Sequence, residues 1–331
     1  MRLIQLQNGS IRKVGLVDEP RIKLLGQFAS VYDLAAAAIA NKTPLTALAQ
    51  QHVTDESLDY DVVYAGGSEW RILPAVDHPE EPARCLVTGT GLTHMASAKN
   101  RNAMHARTDD LTDSMKMFRW GIEGGRPEAG QIGVAPEWFY KGCGMVLRGH
   151  GEPLVVPPYA EDGGEEPEVA GVYLISHDSV PYRIGFTVGN EFSDHKFEKR
   201  NYLYLAGSKL RTCAIGPELV LDHEFQSVPG TVTVERDGQV LWSAEIRTGD
   251  AEMCHSLANI EHHHFKFEGH RRPGDLHVHF FGADAFSFGA GVQLAEGDVM
   301  KVRFEDFGRP LCNPVKIDAA ADARVTVLPL A

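Results

Sequence analysis

Apolar and polar positions alternate from Met1 to about Pro20, with Asn8-Gly9 between two runs, which predicts a β-hairpin. The period then changes. Val31, Leu34, Ala35, Ala38 and Ile39, followed by Leu45, Leu48 and Ala49, recur at helical spacing and are interrupted from Asn41 to Pro44, which predicts two short helices. Strands are expected at 60–64 and 70–73, completing a small α+β unit over residues 1–82. Residues 83–331 form a second, larger unit. An apolar run from Cys85 enters the Gly-rich turn Gly89-Thr90-Gly91, and a polar, Met-containing stretch to about Gly130 reads as a loop-helix insertion with helical spacing at Met104, Met115, Met117 and Phe118. Two β-branched runs follow, Val169 to Ile175 and Arg183 to Gly189, separated by a Pro-containing turn. Thr231–Glu235 and Val240–Glu245 flank Asp237-Gly238, a second hairpin. The fold class is therefore α+β.

The acidic residues give this pattern its chemistry. Glu166 and Glu168 stand two apart at the head of an apolar run, so on a strand both side chains leave on one face. The second run ends at Asn190-Glu191, and hairpin pairing brings a third carboxylate beside the first two. Three converging carboxylates repel one another and suit a hard, oxygen-seeking divalent cation, Mg²⁺ or Mn²⁺.

Composition narrows the function classes. The chain has 331 residues, 43% hydrophobic and 23% charged, enough to bury a large core. Its net charge of −13 and lack of a basic stripe argue against nucleic acid or an anionic membrane as partner. The first residues lack the apolar stretch of a signal peptide, so a cytoplasmic location is expected. Five cysteines without C-x-x-C spacing predict buried thiols, with neither a disulfide framework nor a thiolate zinc site. Gly89-Thr90-Gly91 completes no phosphate-loop pattern. His262-His263-His264 and His277-Val278-His279 resemble the H-x-H of cupin metal sites, but no downstream carboxylate and third His complete that arrangement.

The stretch from Glu166 to Pro217 resembles the core of the fumarylacetoacetate hydrolase superfamily. The matching positions are Glu166-Pro167-Glu168-Val169-Ala170, then Gly185-Phe186 through Asn190-Glu191-Phe192-Ser193, then Lys209 before Gly216-Pro217. Glu191 stands where the family usually has Asp. Further anchors are Pro136-Glu137-Trp138-Phe139-Tyr140-Lys141-Gly142, similar to a strand whose Lys projects to metal and substrate, and His94, at the family's acid/base histidine. The C-terminal anchors Gly274-Asp275, Gly297-Asp298 and Asn313-Pro314-Val315 are in order, but the family's TGTP is replaced by Phe281-Gly282-Ala283-Asp284. The resemblance spans about 84–316.

It implies a mixed β-sandwich/roll catalytic domain with the small N-terminal α+β domain packed against it, a mobile lid or helical excursion over Met95 to Gly130, and a homodimer. It also implies a metal held by Glu166, Glu168 and Glu191, with His94, Glu137, Lys141 and Lys209 as catalytic residues. The segment Glu198 to Arg211 is closest to members that dehydrate 2-keto-3-deoxy-pentonates to 2-keto semialdehydes. The substrate is then a small 2-keto acid, chelated by the ion, with lysine charge offsetting the enolate. The alternative is hydrolysis of the C–C bond of a 2,4-diketo acid or acylpyruvate, and a non-catalytic ligand-binding relative is a third reading. Family hydrolases carry H-x-x-E, whereas His94-Met95-Ala96-Ser97 lacks the glutamate, which favours dehydration.

Overall fold

The computed structural model describes residues 1–95, 98, 99 and 112–330. Strand β1 (Arg2–Asn8) reverses into β2 (Ile11–Asp18), and Asn8 pairs with Ile11, so the turn sits on Gly9 and Ser10, one residue later than the motif suggests. Gly9 takes φ +55°, a left-handed conformation that glycine adopts without a Cβ penalty. β3 (Arg21–Leu25) continues the antiparallel meander. The side chain of Ser30 caps helix α1 (Val31–Ala40) by accepting from the Asp33 N–H, and the helix buries Val31, Leu34, Ala35 and Ala38. After the break at Asn41 to Pro44 comes α2 (Leu45–Gln51).

The strand expected at 60–64 is instead a helical turn. β4 (Val53–Asp59) precedes it, and the Asp59 side chain accepts from the Asp61 and Val62 N–H groups, capping α3 (Tyr60–Tyr64). A local capping bond therefore overrides the strand preference of Tyr and Val. β5 (Arg71–Ile72) lies within the strand expected at 70–73.

The larger unit runs through β6 (Cys85–Gly91), α4 (Asp113–Gly124), β7 (Glu137–Cys143), β8 (Leu147–Arg148), β9 (Leu154–Val156), β10 (Pro167–Ile175) and β11 (Pro181–Asn190). Then follow α5 (His195–Arg200), α6 (Leu205–Lys209), β12 (Cys213–Val220), β13 (Val228–Arg236) and β14 (Gln239–Thr248). The chain closes with α7 (Leu257–Phe265), β15 (Leu276–Phe280), β16 (Val299–Phe304) and β17 (Leu311–Ile317). Met115, Met117 and Phe118 lie on α4, while Met104 lies outside the described residues. Asp237 and Gly238 both have positive φ between paired Arg236 and Gln239, as the D-G motif requires.

A mixed sheet of order β4-β3-β2-β1-β12-β11-β10-β15-β6-β7 carries β5 on β1 and β8 on β12, and a second sheet runs β14-β13-β16-β17-β9. β1 pairs antiparallel with β12, so strands from both sides of residue 82 share the larger sheet. One of its faces packs on α1 and α2 through Val87, Val172, Ile215, Val278 and Phe280. The other meets the second sheet through Val169, Phe186, Val188, Val232, Met300 and Leu311. Covered on both faces, β10 is buried at every residue, which is why it reads as a continuous apolar run. Each fully buried aliphatic side chain there contributes about 1.5–3 kcal/mol, so the strand bearing the acidic pair is held rigidly. Among the described residues no helix is long and apolar enough to cross a membrane.

Candidate active site

The β10–β11 register sets Glu168 against Gly189 and Pro167 against Asn190, and beyond it the Glu191 N–H donates to the Glu166 carbonyl at 2.9 Å. Ligand atoms of Glu166, Glu168 and Glu191 consequently lie within 4.8 Å of one another, all buried. Pairing across the hairpin thus brings together residues that are 25 apart in sequence.

Three buried carboxylates need cations or donors, and each has them. Lys209 Nζ donates to Glu166 Oε1 and Glu191 Oε2, both at 2.6 Å, and to Ser193 Oγ at 3.1 Å, and it lies 4.8 Å from the centre of the Phe139 ring. Lys141 Nζ reaches Glu191 Oε1 at 2.6 Å and also donates to the Phe192 carbonyl. Glu168 Oε2 accepts from the Gly282 N–H at 2.6 Å. Burial, then the charges of Glu191 and Glu166, push Glu168 well above the usual carboxylate range. Burial acts on Glu166 too, but Lys209 and His195 together outweigh it and hold the carboxyl well below that range. Burial raises Glu191, opposed by Lys141 and Lys209, and burial lowers Lys141. The donor set is all-carboxylate, compact and short of positive charge at Glu168, which fits a hard divalent ion. The longer arm of Glu191, compared with Asp, is accommodated by Lys141 and Lys209 bonding one oxygen each.

Glu137 and Lys141 share the inward face of β7 with Phe139, while Trp138 and Tyr140 point outward. At 6% and 0% exposure, neither Glu137 nor Lys141 belongs to a surface ion pair. Tyr202 Oη donates to Glu137 Oε2 at 2.6 Å, and a Cβ on Gly91 would come within 1.9 Å of Glu137 Oε1, so glycine there makes room for the carboxylate. His94 is buried, and Thr93 decides its tautomer. The Thr93 hydroxyl donates to the Phe281 carbonyl at 2.7 Å, so at 2.9 Å from His94 Nδ1 it must accept, placing the ring proton on Nδ1 and the lone pair on Nε2. Burial lowers His94 to about 4, leaving it neutral at pH 7. Ala96 and Ser97, which complete the segment after His94, lie outside the described residues.

A cavity of about 20 Å³ adjoins the carboxylates, bordered by Gly91, Leu92, Glu166, Glu168, His195, Glu198, Lys209, Gly282, Ala283 and Phe286. It has room for one ion or water beside the carboxylates. Of the sequence candidates, Glu166, Glu168 and Lys209 border it. Glu191 and Lys141 join through Lys209 and their mutual ion pair, Glu137 through Gly91, and His94 through Thr93 and the Phe281-Gly282 backbone. A wider groove of about 540 Å³ runs along Ala38, Ile39, Leu45, Ile184 and Leu221 and includes none of the candidates.

Sequence reasoning missed four residues here. His195 Nε2 lies 3.0 Å from Glu166 Oε1, and the ring stacks on Phe286 with centroids 4.8 Å apart. Burial lowers its pKa, but the hydrogen bond to Glu166 and that group's charge prevail and raise it. Glu198 follows one turn later on α5. Glu165, fully buried, accepts from Ser287 N–H at 2.6 Å and Ser287 Oγ at 2.8 Å, fastening the helical turn that follows Phe286. Tyr202 precedes α6. The only signal in the sequence was Asp194, a helix-capping residue ahead of a His and a Glu spaced three apart.

No family model matches the chain. A probable 2-keto-3-deoxyxylonate dehydratase of Haloferax volcanii is 29% identical over 178 residues, covering 52% of this chain and 58% of that protein, so the chain spans little more than half the length of this curated relative. A solved structure of 2-keto-3-deoxyarabinonate dehydratase is 22% identical, covers 97% of this chain and 100% of that one, and superposes with a TM-score of 0.72. The D-arabinonate enzyme complexed with magnesium and 2,5-dioxopentanoate is likewise 22% identical, with 96% and 99% coverage and a TM-score of 0.70. A 5-carboxymethyl-2-hydroxymuconate delta-isomerase from Mycobacterium smegmatis is 18% identical over 96% of this chain and all of that one, with a TM-score of 0.58. The chain has the mixed α+β fold of the fumarylacetoacetate hydrolase type that its motifs resemble.

Proposed function

We propose that the protein is a metal-dependent hydro-lyase that converts a 2-keto-3-deoxy-pentonate into a 2-keto semialdehyde. The observation that carries this reading is the buried trio of Glu166, Glu168 and Glu191 with Lys209 beside it. The dehydratases with the same fold, one of them complexed with magnesium and a dioxo acid, support it. Glu166, Glu168 and Glu191 would hold Mg²⁺ or Mn²⁺, which supplies Lewis-acid polarisation of a bound 2-keto acid.

The chain's own groups do the rest. Lys209 offsets the negative charge that grows on the keto oxygen as a C3 proton leaves. Glu137, held by Tyr202, and neutral His94, with its Nε2 lone pair, are the proton carriers: one takes the C3 proton and a protonated group serves the C4 hydroxyl as it departs as water. Lys141 fixes Glu191. Loss of water from C3 and C4 leaves a C3–C4 double bond beside the C5 hydroxyl, and tautomerisation moves hydrogen from C5 to give a C5 aldehyde. The same reading takes residues 1–82 as a distinct N-terminal domain and the enzyme as a cytoplasmic homodimer, the latter checked by light scattering.

Incubation with a panel of 2-keto-3-deoxy acids and 2,4-diketo acids tests the proposal. The expected product is one water lighter and carries a new aldehyde. Release of pyruvate from an acylpyruvate, with no water lost from any deoxy sugar acid, would restore the hydrolase reading.

A further inference from the structure

The reaction just described gives His195 no part, yet three segments converge to hold its ring in place. It opens α5, whose cap Asp194 accepts from the Phe197 and Glu161 N–H groups, both at 2.9 Å, and from Arg211 Nη2 at 3.0 Å. The backbone beneath the ring is therefore fixed. The buried imidazole stacks on Phe286 with centroids 4.8 Å apart and planes 12° from parallel, and lies 5.1 Å from Phe288. A Cβ on Gly164 would come within 2.3 Å of Nδ1, so the glycine makes room for the ring, and Gly164 is itself paired with Ser193. A carboxylate oxygen accepts, so Nε2 donates to Glu166 Oε1 at 3.0 Å, whereas Nδ1 has no hydrogen-bond partner among the described residues. Leaving a buried nitrogen unpaired is costly. A phenyl ring would fill the same stack without that cost, and what it would lack is the bond to Glu166.

We infer that His195 is a positioning residue that sets the affinity of the trio for its divalent cation by fixing the rotation of the Glu166 carboxylate. The inference rests on the reading of Glu166, Glu168 and Glu191 as the metal-binding group. Glu168 and Glu191 have fixed donors in the Gly282 N–H and Lys141, and His195 completes the set at Glu166. Lys209 Nζ bonds the same Glu166 oxygen at 2.6 Å, but it also bonds Glu191 and Ser193 and ends a flexible four-carbon stem. His195 is instead a rigid ring in a closed stack. The terminal torsion of a glutamate is soft, and two donors meeting at one oxygen from α5 and α6 hold it. Without His195, that oxygen keeps the lysine bond alone, the carboxylate turns more freely, and the ion must order it on binding. Removing a hydrogen-bond partner of a metal ligand typically costs about 10- to 100-fold in metal affinity.

The test is calorimetric titration of Mg²⁺ into the full chain, with the melting temperature in EDTA as the separate measure of folding. Neither readout depends on turnover. His195→Phe keeps the stack with Phe286 and Phe288 and removes the donor, whereas His195→Gln keeps an N–H donor and removes the ring. His195→Phe should bind Mg²⁺ about 10- to 100-fold more weakly than wild type while melting no lower in EDTA. His195→Gln should recover most of the lost affinity even though it melts lower. Wild-type affinity in a folded His195→Phe, or in His195→Leu should the phenylalanine variant fail to fold, overturns the inference. So does an equal loss in His195→Gln and His195→Phe, which would make the stack and not the hydrogen bond the cause. A wild type that takes up neither Mg²⁺ nor Mn²⁺ overturns the metal reading itself, and the inference with it.

Discussion

Replacing Gly91 by alanine tests whether Glu137 must sit where it does. The added Cβ would lie 1.9 Å from Glu137 Oε1 and 3.0 Å from Cδ, against an ordinary contact of 3.4 Å or more. The carboxylate must retreat by about 1.5 Å, the gap between 1.9 and 3.4 Å. Tyr202 holds its other oxygen at 2.6 Å, so that bond lengthens or breaks. Misplacing a reacting group by about 1 Å can cost on the order of a hundredfold in rate, and overpacking of this kind destabilises by about 1–3 kcal/mol. Gly91→Ala should therefore lower kcat about a hundredfold on the deoxy sugar acid while remaining folded. Because the trio is not touched, the Mg²⁺ concentration that half-raises the melting temperature should stay within about twofold of wild type, roughly 0.4 kcal/mol by the affinity relation. Steady-state kinetics and thermal shift against Mg²⁺ measure the two. A folded Gly91→Ala enzyme with wild-type kcat would refute the placement of Glu137 in proton transfer.

Three other outcomes are expected. Mg²⁺ or Mn²⁺ should raise the melting temperature of wild type but not of Glu168→Ala, and full turnover in excess EDTA would remove the metal from the proposal. Lys209→Met should lower kcat by roughly a hundredfold or more with folding intact, and an unchanged kcat would exclude its charge from the reaction. The buried histidines on β15 should make the fold acid-sensitive. Burial, then the neighbouring His270 for His277 and His277 for His279, lowers both to about 3 from an ordinary 6.5. Below 6.5 the unfolded chain takes up protons that the native chain refuses until about 3, so stability should fall as pH drops through that window. His279 is held between the Thr88 and Thr90 hydroxyls, both at 2.7 Å, and a His279→Gln variant should show a shallower dependence of melting temperature on pH. Equal slopes would contradict this origin.

Much of the architecture was legible from local pattern because local energetics decide it. Asp237-Gly238 accepts positive φ at both positions, Ser30 caps the helix whose apolar stripe follows it, and period two places Glu166 with Glu168 and Glu137 with Lys141. Each of these depends on residues within a few positions of one another. The boundary near Asp59 was misread for the same reason, since a single side-chain cap outweighed the β-propensity of Tyr60-Asp61-Val62-Val63-Tyr64.

What the chain alone determined, then, is a set of strands and helices with acidic residues at defined ends, together with motifs that resemble one superfamily. Hairpin pairing already placed Glu191 beside Glu166 and Glu168, and the β10–β11 register agrees. Only the tertiary structure decided what else meets them: Lys209 enters between two carboxylates from α6, and Glu165 and Ser287 join across 122 positions. His195, Glu198 and Tyr202 resembled ordinary polar residues until packing withdrew water from His195 and Glu198 and set the Tyr202 hydroxyl on the buried Glu137. The physical reason is that propensity and periodicity report on neighbours along the chain. Burial, and with it the strength of every charge in the site, is set by segments that arrive from elsewhere in the sequence.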